Sequence, residues 1–157
     1  TVQIIFNPFR QRPADQFFEE AACRDVGVIV RVPLASGLLA GAFDADTEFP
    51  EGDHRAGEGG AGSRGGETFA GVPFDAGVAA ADDLREHVPD GMTMAQFTLR
   101  WILDHDAVTT VIPGSMTPEH VRENAAAADL DPLSNQTHGA VRDVYERHLY
   151  DQVHHRW

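Results

Sequence analysis

The sequence predicts an α/β chain built on a parallel sheet. Three short, apolar, β-branched runs occur at residues 2–6, 26–32 and 108–112, and breakers follow them: Asn7-Pro8, Pro33 and Pro113-Gly114. Helix-length segments with apolar residues three and four apart lie between and after the runs. Continuous apolar strands, rather than alternating ones, belong to sheets covered on both faces, and those are the parallel sheets.

The elements follow in order. Residues 2–6 form the first strand. Pro13-Ala14-Asp15 starts a helix running to about Arg24, with Phe17, Phe18 and Ala21 on its inner face. Residues 26–32 form the second strand and complete a β-α-β unit. Residues 44–71, rich in Gly, Asp and Glu, lack hydrophobic periodicity and read as a long mobile loop, either a lid or a surface insertion. Asp75 caps a helix carrying Val78, Leu84 and Val88, which Pro89-Asp90-Gly91 ends. Asp82 and Asp83 read as a solvated helix start. Thr93-Met94-Ala95-Gln96 is a capping box, followed by Phe97, Trp101 and Ile102 on one helix face. Residues 108–112 make the third strand and residues 117–128 a helix. Ser134 caps a last helix carrying Val141, Val144 and Tyr145. Residues 1–150 read as one domain and 151–157 as a polar tail.

The 157 residues carry a net charge of −13, and all twelve basic residues are arginine. Such an acidic surface disfavours nucleic acid and anionic membranes. It suits solubility at high salt, where self-repulsion is screened, so a halophilic source is expected. Lone Cys23 has no internal disulfide partner and reads as a buried or half-buried inert thiol. No apolar run approaches the roughly 18 residues of a membrane span and no secretory signal opens the chain, so a cytoplasmic location is expected. The chain opens directly on a strand, which suggests preceding sequence. His154 and His155 beside Asp151 read as a flexible tail rather than a metal site, because adjacent histidines share no helix face.

The run Val111-Ile112-Pro113-Gly114-Ser115-Met116-Thr117-Pro118 is the most informative segment. It reads as a strand, a polar turn and a helix starting at Thr117-Pro118. Backbone N–H groups and the positive end of the helix dipole face whatever sits above the turn, which suits an anion such as a nucleotide phosphate. An ordinary well-capped turn has the same spacing.

Three ordered blocks carry a family resemblance. They are Gln3-Ile4-Ile5-Phe6-Asn7-Pro8, then Val28-Ile29-Val30-Arg31-Val32-Pro33-Leu34-Ala35-Ser36-Gly37-Leu38-Leu39, then Leu99-Arg100-Trp101-Ile102-Leu103 with Ile112-Pro113-Gly114-Ser115 and Glu123-Asn124. Together they resemble the C-terminal half of an aldo-keto reductase. The resemblance implies about three strands, with their helices, of a TIM (β/α)8 barrel, whose complete form needs about 200–250 residues or more. It also implies NADP or NAD as cofactor and a small carbonyl substrate in the complete protein.

Site roles follow from the resemblance. Gln3 faces the nicotinamide carboxamide; a strand glutamine satisfied inside the barrel is the alternative. Pro33, Leu34, Ser36 and Gly37 form the loop that holds the pyrophosphate. Arg31 stands where many relatives place a stacking Tyr, and either meets the ligand or forms a structural ion pair. Gly114, Ser115 and Thr117 form the second phosphate turn, although the cap role alone would explain Thr117. Glu123 and Asn124 hold the adenine, unless they are simply solvated. NADP-selective relatives often carry Lys at the Gly114 position and Arg at the His120 position. This chain has neither, and Arg122 is the nearby cation.

The family's Tyr, Lys, Asp and His tetrad belongs to strands preceding residue 1. The chain has no lysine, and its two tyrosines, Tyr145 and Tyr150, lie in the C-terminal helix and tail. The chain alone is therefore expected to bind but not reduce. Two functions remain open: the cofactor-binding half of a carbonyl reductase, or a natural half-barrel acting as a nucleotide-sensing or interaction module completed by a partner. An open sheet edge predicts self-association in either case.

Overall fold

A computed structural model describes residues 1–53, 55–56 and 67–156. Its sheet has three parallel strands in the order β1 (Val2–Ile5), β2 (Val28–Arg31), β3 (Val108–Val111). β2 is central. Val2 pairs with Val28 and Ile5 with Arg31; across β3 a bulge separates the Val28–Val108 and Ile29–Thr110 pairs. The α/β class and all three strands are as expected from the sequence.

Side chains alternate across a strand, so the two sheet faces differ. Val28 and Val30 are fully buried. Gln3 and Thr110 are exposed on the other face, and Ile29 and Arg31 are half-buried there. The expected burial on both faces is therefore corrected: helices cover one face, and on the other only Ile5 among these residues is deeply buried. β1 and β3 are both edges of this sheet, which also leaves Val2 38% exposed.

The helices are α1 (Arg12–Gln16), α2 (Phe18–Cys23), α3 (Phe74–Arg85), α4 (Met94–Leu103), α5 (Pro118–Ala126), α6 (Asn135–His148) and α7 (Tyr150–Val153). The predicted first helix is split at Phe17 into α1 and α2. Cys23, at the end of α2, is exposed, not buried. Pro73, not Asp75, is the N-cap of α3. Asp82 and Asp83 lie near the end of that helix rather than its start. Asp83 accepts from Arg147 at 2.8 Å and meets His148 Nε2 at 2.7 Å, tying α3 to α6. Three caps form as the sequence indicates: Thr93 with its full capping box, Thr117 and Ser134. The tail from 151 continues α7; Val153 is fully buried, and His154 stacks on Tyr150 and meets the Tyr145 hydroxyl at 3.1 Å.

Much of the loop expected at 44–71 lies outside the described residues. Its described flanks pack: Phe49 and Phe69 join Phe43 and Phe74 in one aromatic cluster, with the Arg55 guanidinium over the Phe49 ring at 4.9 Å. Gly37 makes this possible. Its φ is +110°, and a Cβ there would lie 2.7 Å from the Phe43 ring. Gly77 of α3 plays the same part for Leu38, whose methyl would lie 2.6 Å from an added Cβ.

A second cluster holds α4 against the sheet. His105 contacts Phe6, Phe18, Trp101 and His138, and its Nδ1–H donates to the Trp101 carbonyl at 2.9 Å. Burial pushes the imidazole below its ordinary value, and the carbonyl bond opposes this. The folded state therefore binds the proton less readily than the unfolded chain, whose histidine titrates near 6.5. This contribution to stability is complete above that pH and is lost as pH falls through the lower folded value.

Two predictions follow from this packing. His105→Phe keeps the ring but not the titration, so the fall in unfolding midpoint between pH 6.5 and 5 should be shallower in urea melts than for the wild type. Gly37→Ala must adopt a left-handed backbone and displace Phe43, so it should lower stability by about 2 kcal/mol in the same assay. An unchanged midpoint would remove Gly37 from the packing of this loop.

Candidate functional site

Parallel strands send their C-terminal ends to one edge, where the connecting loops of such sheets carry their sites. Asn7 organises the exits of β1 and β2. Its fully buried amide donates to the Val32 carbonyl at 2.8 Å and accepts from the Phe9 N–H at 2.9 Å. In the sequence Asn7 reads as a strand breaker and as part of the first resemblance block, with no partner assigned to its amide. Val32 has φ 53°, a left-handed conformation that a β-branched side chain rarely adopts. Ala35 (46°), Ser36 (55°) and Gly37 (110°) continue the left-handed stretch. Three of these four residues pay a backbone penalty that glycine would avoid, and such strain clusters where a loop shape is itself required.

Arg31, the last residue of β2, forks onto Glu67: Nη1 lies 2.6 Å from Oε2 and Nη2 donates to Oε1 at 2.7 Å. Of the two readings open for Arg31, the ion pair is the contact present. The hydrogen bond from Arg31 holds the Glu67 carboxyl below its usual range, against a smaller effect of burial. Ser36 Oγ accepts from the Phe69 N–H at 3.2 Å, and Gly37 is filled against Phe43. Both residues thus anchor the loop in this structure. Pro33 is buried and Leu34 half-buried within it. Gln3 is exposed, on the same sheet face as Arg31 but at the opposite end of its strand run.

The second loop leaves β3 beside the first, because β3 pairs with β2 and the Ile112 N–H donates to the Val30 carbonyl at 3.0 Å. Thr117 Oγ1 accepts from the His120 N–H at 3.2 Å, and Pro118 opens α5. A proline suits this position because its missing N–H would have no helical partner. Asn124 donates to Ser115 Oγ at 3.0 Å, drawing the helix back onto the turn. Arg122 donates to Glu119 at 3.1 Å, and both side chains are exposed. Gly114, His120 and Glu123 are exposed as well. Ser115, Met116, Thr117, Pro118, Val121 and Arg122 line a shallow open depression of ≈ 460 Å³. α5 has no buried residue, and Met116 is 94% exposed.

The structure thus brings the 31–37 loop and the 114–124 loop to one edge of the sheet. The first lies folded on its own anchors and the second lies open. Tyr145 is buried in the core, and burial raises its phenol to about 12.

The comparisons with known proteins agree with this architecture. The chain is 24% identical over 147 residues to aldo-keto reductase yakc [NADP(+)] of Schizosaccharomyces pombe, covering 91% of this chain and 41% of that one. It is 30% identical over 132 residues to the NADH-specific methylglyoxal reductase of Escherichia coli, covering 79% and 36%. The chain therefore spans about two-fifths of the length of these relatives. Among solved structures, a glycerol dehydrogenase of Gluconobacter oxydans superposes with a TM-score of 0.73 at 24% identity, over 94% of this chain and 42% of that one. An aldo-keto reductase of Bacillus halodurans gives 0.62 at 23% identity, over 96% and 44%. These neighbours are TIM barrels, so the three-stranded sheet is a partial barrel. The aldo/keto reductase family profile matches residues 1–146, and the chain belongs to that family.

Proposed function

We propose that this chain supplies the dinucleotide-binding half of an NAD(P)H-dependent reductase of aldehydes or ketones. One observation carries the reading: paired strands β2 and β3 deliver the 31–37 and 114–124 loops to the same sheet edge. The open depression beside the α5 N-terminus offers hydroxyls, dipole and Arg122 to an anion, which fits a nucleotide phosphate. Relatives named for NADP(+) and for NADH both occur, so the class of cofactor is supported and its form is left to Arg122.

When bound, the reduced nicotinamide supplies a hydride to the carbonyl carbon. This chain's part is positional. Gln3 and Arg31 lie on the uncovered sheet face, Ser36 and Gly37 shape the first loop, and Ser115, Thr117, Glu123 and Asn124 form the second. Arg31 and Arg122 each hold a carboxylate, Glu67 and Glu119, so an incoming anion competes with a surface pair of modest strength. In this reading the proton donor for the alkoxide is not among these 157 residues. Tyr145, buried and reluctant to ionise, is not suited to that role.

A second reading rests on the two open sheet edges, β1 and β3: a non-catalytic half-barrel that senses a nucleotide and is completed by a partner chain. The intact mass of the protein from its native source separates the two. A mass near twice the 17.1 kDa of this chain, with carbonyl-dependent NAD(P)H oxidation, supports the enzyme. A 17.1 kDa product that binds the dinucleotide without turnover supports the module.

NADPH fluorescence titration of the chain should give saturable binding. Arg122→Ala should weaken NADPH by about tenfold and NADH by much less, because only NADPH presents a 2′-phosphate. Equal losses would remove Arg122 from the phosphate site. Thr117→Ala, by removing the cap, should lower affinity for both cofactors together and cost about 1 kcal/mol of stability in urea melts.

A further inference from the structure

Three arginines from distant parts of the chain converge on one five-residue segment, 67–71. Arg10, in the exit of β1, donates Nη1 to the Ala70 carbonyl at 2.8 Å. Arg31, at the end of β2, forks onto the Glu67 carboxylate. Arg156, after α7, donates Nη1 to the Gly71 carbonyl at 3.2 Å. In a chain of net charge −13 this concentration of positive charge is unexpected on composition.

Arg10 is the telling member. It is 4% exposed, yet among the described residues no carboxylate lies within ion-pair distance of it. Among the described residues its side chain makes one hydrogen bond, to the Ala70 carbonyl. Arginine is seldom buried without a counter-ion. Burial, then the charges of Arg156 and Arg31, hold its guanidinium below the ordinary value; Tyr145 and Glu67 act the other way. Among the described residues Glu67 is the one carboxylate acting on it, and that carboxylate is already engaged by Arg31.

The geometry points to an anion site formed by Arg10, Arg31 and Arg156, with Glu67 as its built-in competitor, which takes the carboxylate or phosphate of an acidic carbonyl substrate. The assignment to a substrate rests on the reductase reading; the anion site itself does not. Arg10 and Arg156 lie outside both proposed cofactor loops, which favours substrate over cofactor, and Arg31, which opens the first of those loops, borders both sites. Arg10 follows β1, whereas the open phosphate turn at 114–124 follows β3, and β2 lies between them. Planar forked donors suit both carboxylate and phosphate.

The test uses inorganic phosphate on this chain, by calorimetry at ionic strength held constant with chloride. Saturable binding is expected. Arg156→Ala, at an exposed position, should fold normally and weaken phosphate by about tenfold. Glu67→Gln should tighten it several-fold by releasing Arg31. Pyruvate should displace phosphate and methyl pyruvate should not, and saturating NADPH should leave phosphate bound. Absence of saturable binding, or affinities unchanged in both variants, overturns the site. Displacement of phosphate by NADPH overturns its assignment to the substrate and gives it to the cofactor. A chain that binds phosphate as expected but not NADPH keeps the anion site and loses the reductase reading.

Discussion

The buried amide of Asn7 is the constraint on which the site edge depends. It spans the exits of two strands, accepting from the buried Phe9 N–H and giving the Val32 carbonyl a second donor beside the Ala35 N–H. Leaving a buried N–H such as that of Phe9 unpaired costs about 1–3 kcal/mol, so the amide helps to fix where Val32 begins its left-handed turn. Everything downstream follows from that turn. The run from Ala35 to Gly37 carries Leu38 and Leu39 into the core and leaves Gly37 open for Phe43. Phe43 in turn gathers Phe49, Phe69 and Phe74, and this brings the 67–71 segment back over the strand ends. A polar contact of a few ångströms thus positions an apolar cluster, and the apolar cluster positions the charged groups above the sheet.

The regular elements were legible in the sequence because their signals are local. β-branched runs bounded by Pro and Gly gave three strands, and Thr93, Thr117 and Ser134 announced their helices through side-chain caps. Exposure was less legible. Cys23 reads as buried or half-buried, but its place at a helix end leaves it in solvent. The partner of Arg31 was least legible. Glu67 lies 36 residues away at the margin of a Gly-rich, acidic stretch with no periodicity to place it. An arginine ending an apolar strand announces that a partner exists, not which one. The left-handed residues were hidden for a related reason: of Val32, Ala35, Ser36 and Gly37, only the glycine carries a sequence signal for that conformation.

The two loops at the site edge differ in a way that bears on how a dinucleotide would be held. The first is committed: Ser36 accepts from Phe69, Gly37 receives Phe43, and Arg31 grips Glu67. A ligand there must work with groups already engaged, so the loop contributes shape more than free donors. The second is uncommitted. α5 buries no residue, Met116 and Val121 stand exposed at an open depression, and Ile112 is exposed as well. Exposed apolar side chains beside a helix N-terminus offer both a face to cover and a dipole to neutralise, which an adenosine phosphate can meet at once. In the proposed reading, binding energy would therefore concentrate on the 114–124 side and orientation on the 31–37 side.

This division also explains why the arginines fall where they do. A chain with excess carboxylates gains little by scattering its few cations over a screened surface, where ion pairs contribute little. Two of its arginines instead make short-range pairs that join elements: Arg142 with Asp15 and Arg147 with Asp83. Arg10 departs from that pattern, being buried beside two other cations with only a carbonyl to hold. If structure alone were served, a neutral donor would hold Ala70 without the desolvation of a charge. In the proposed reading, a guanidinium in that place is better explained by an anion that arrives from solution than by any contact among the described residues.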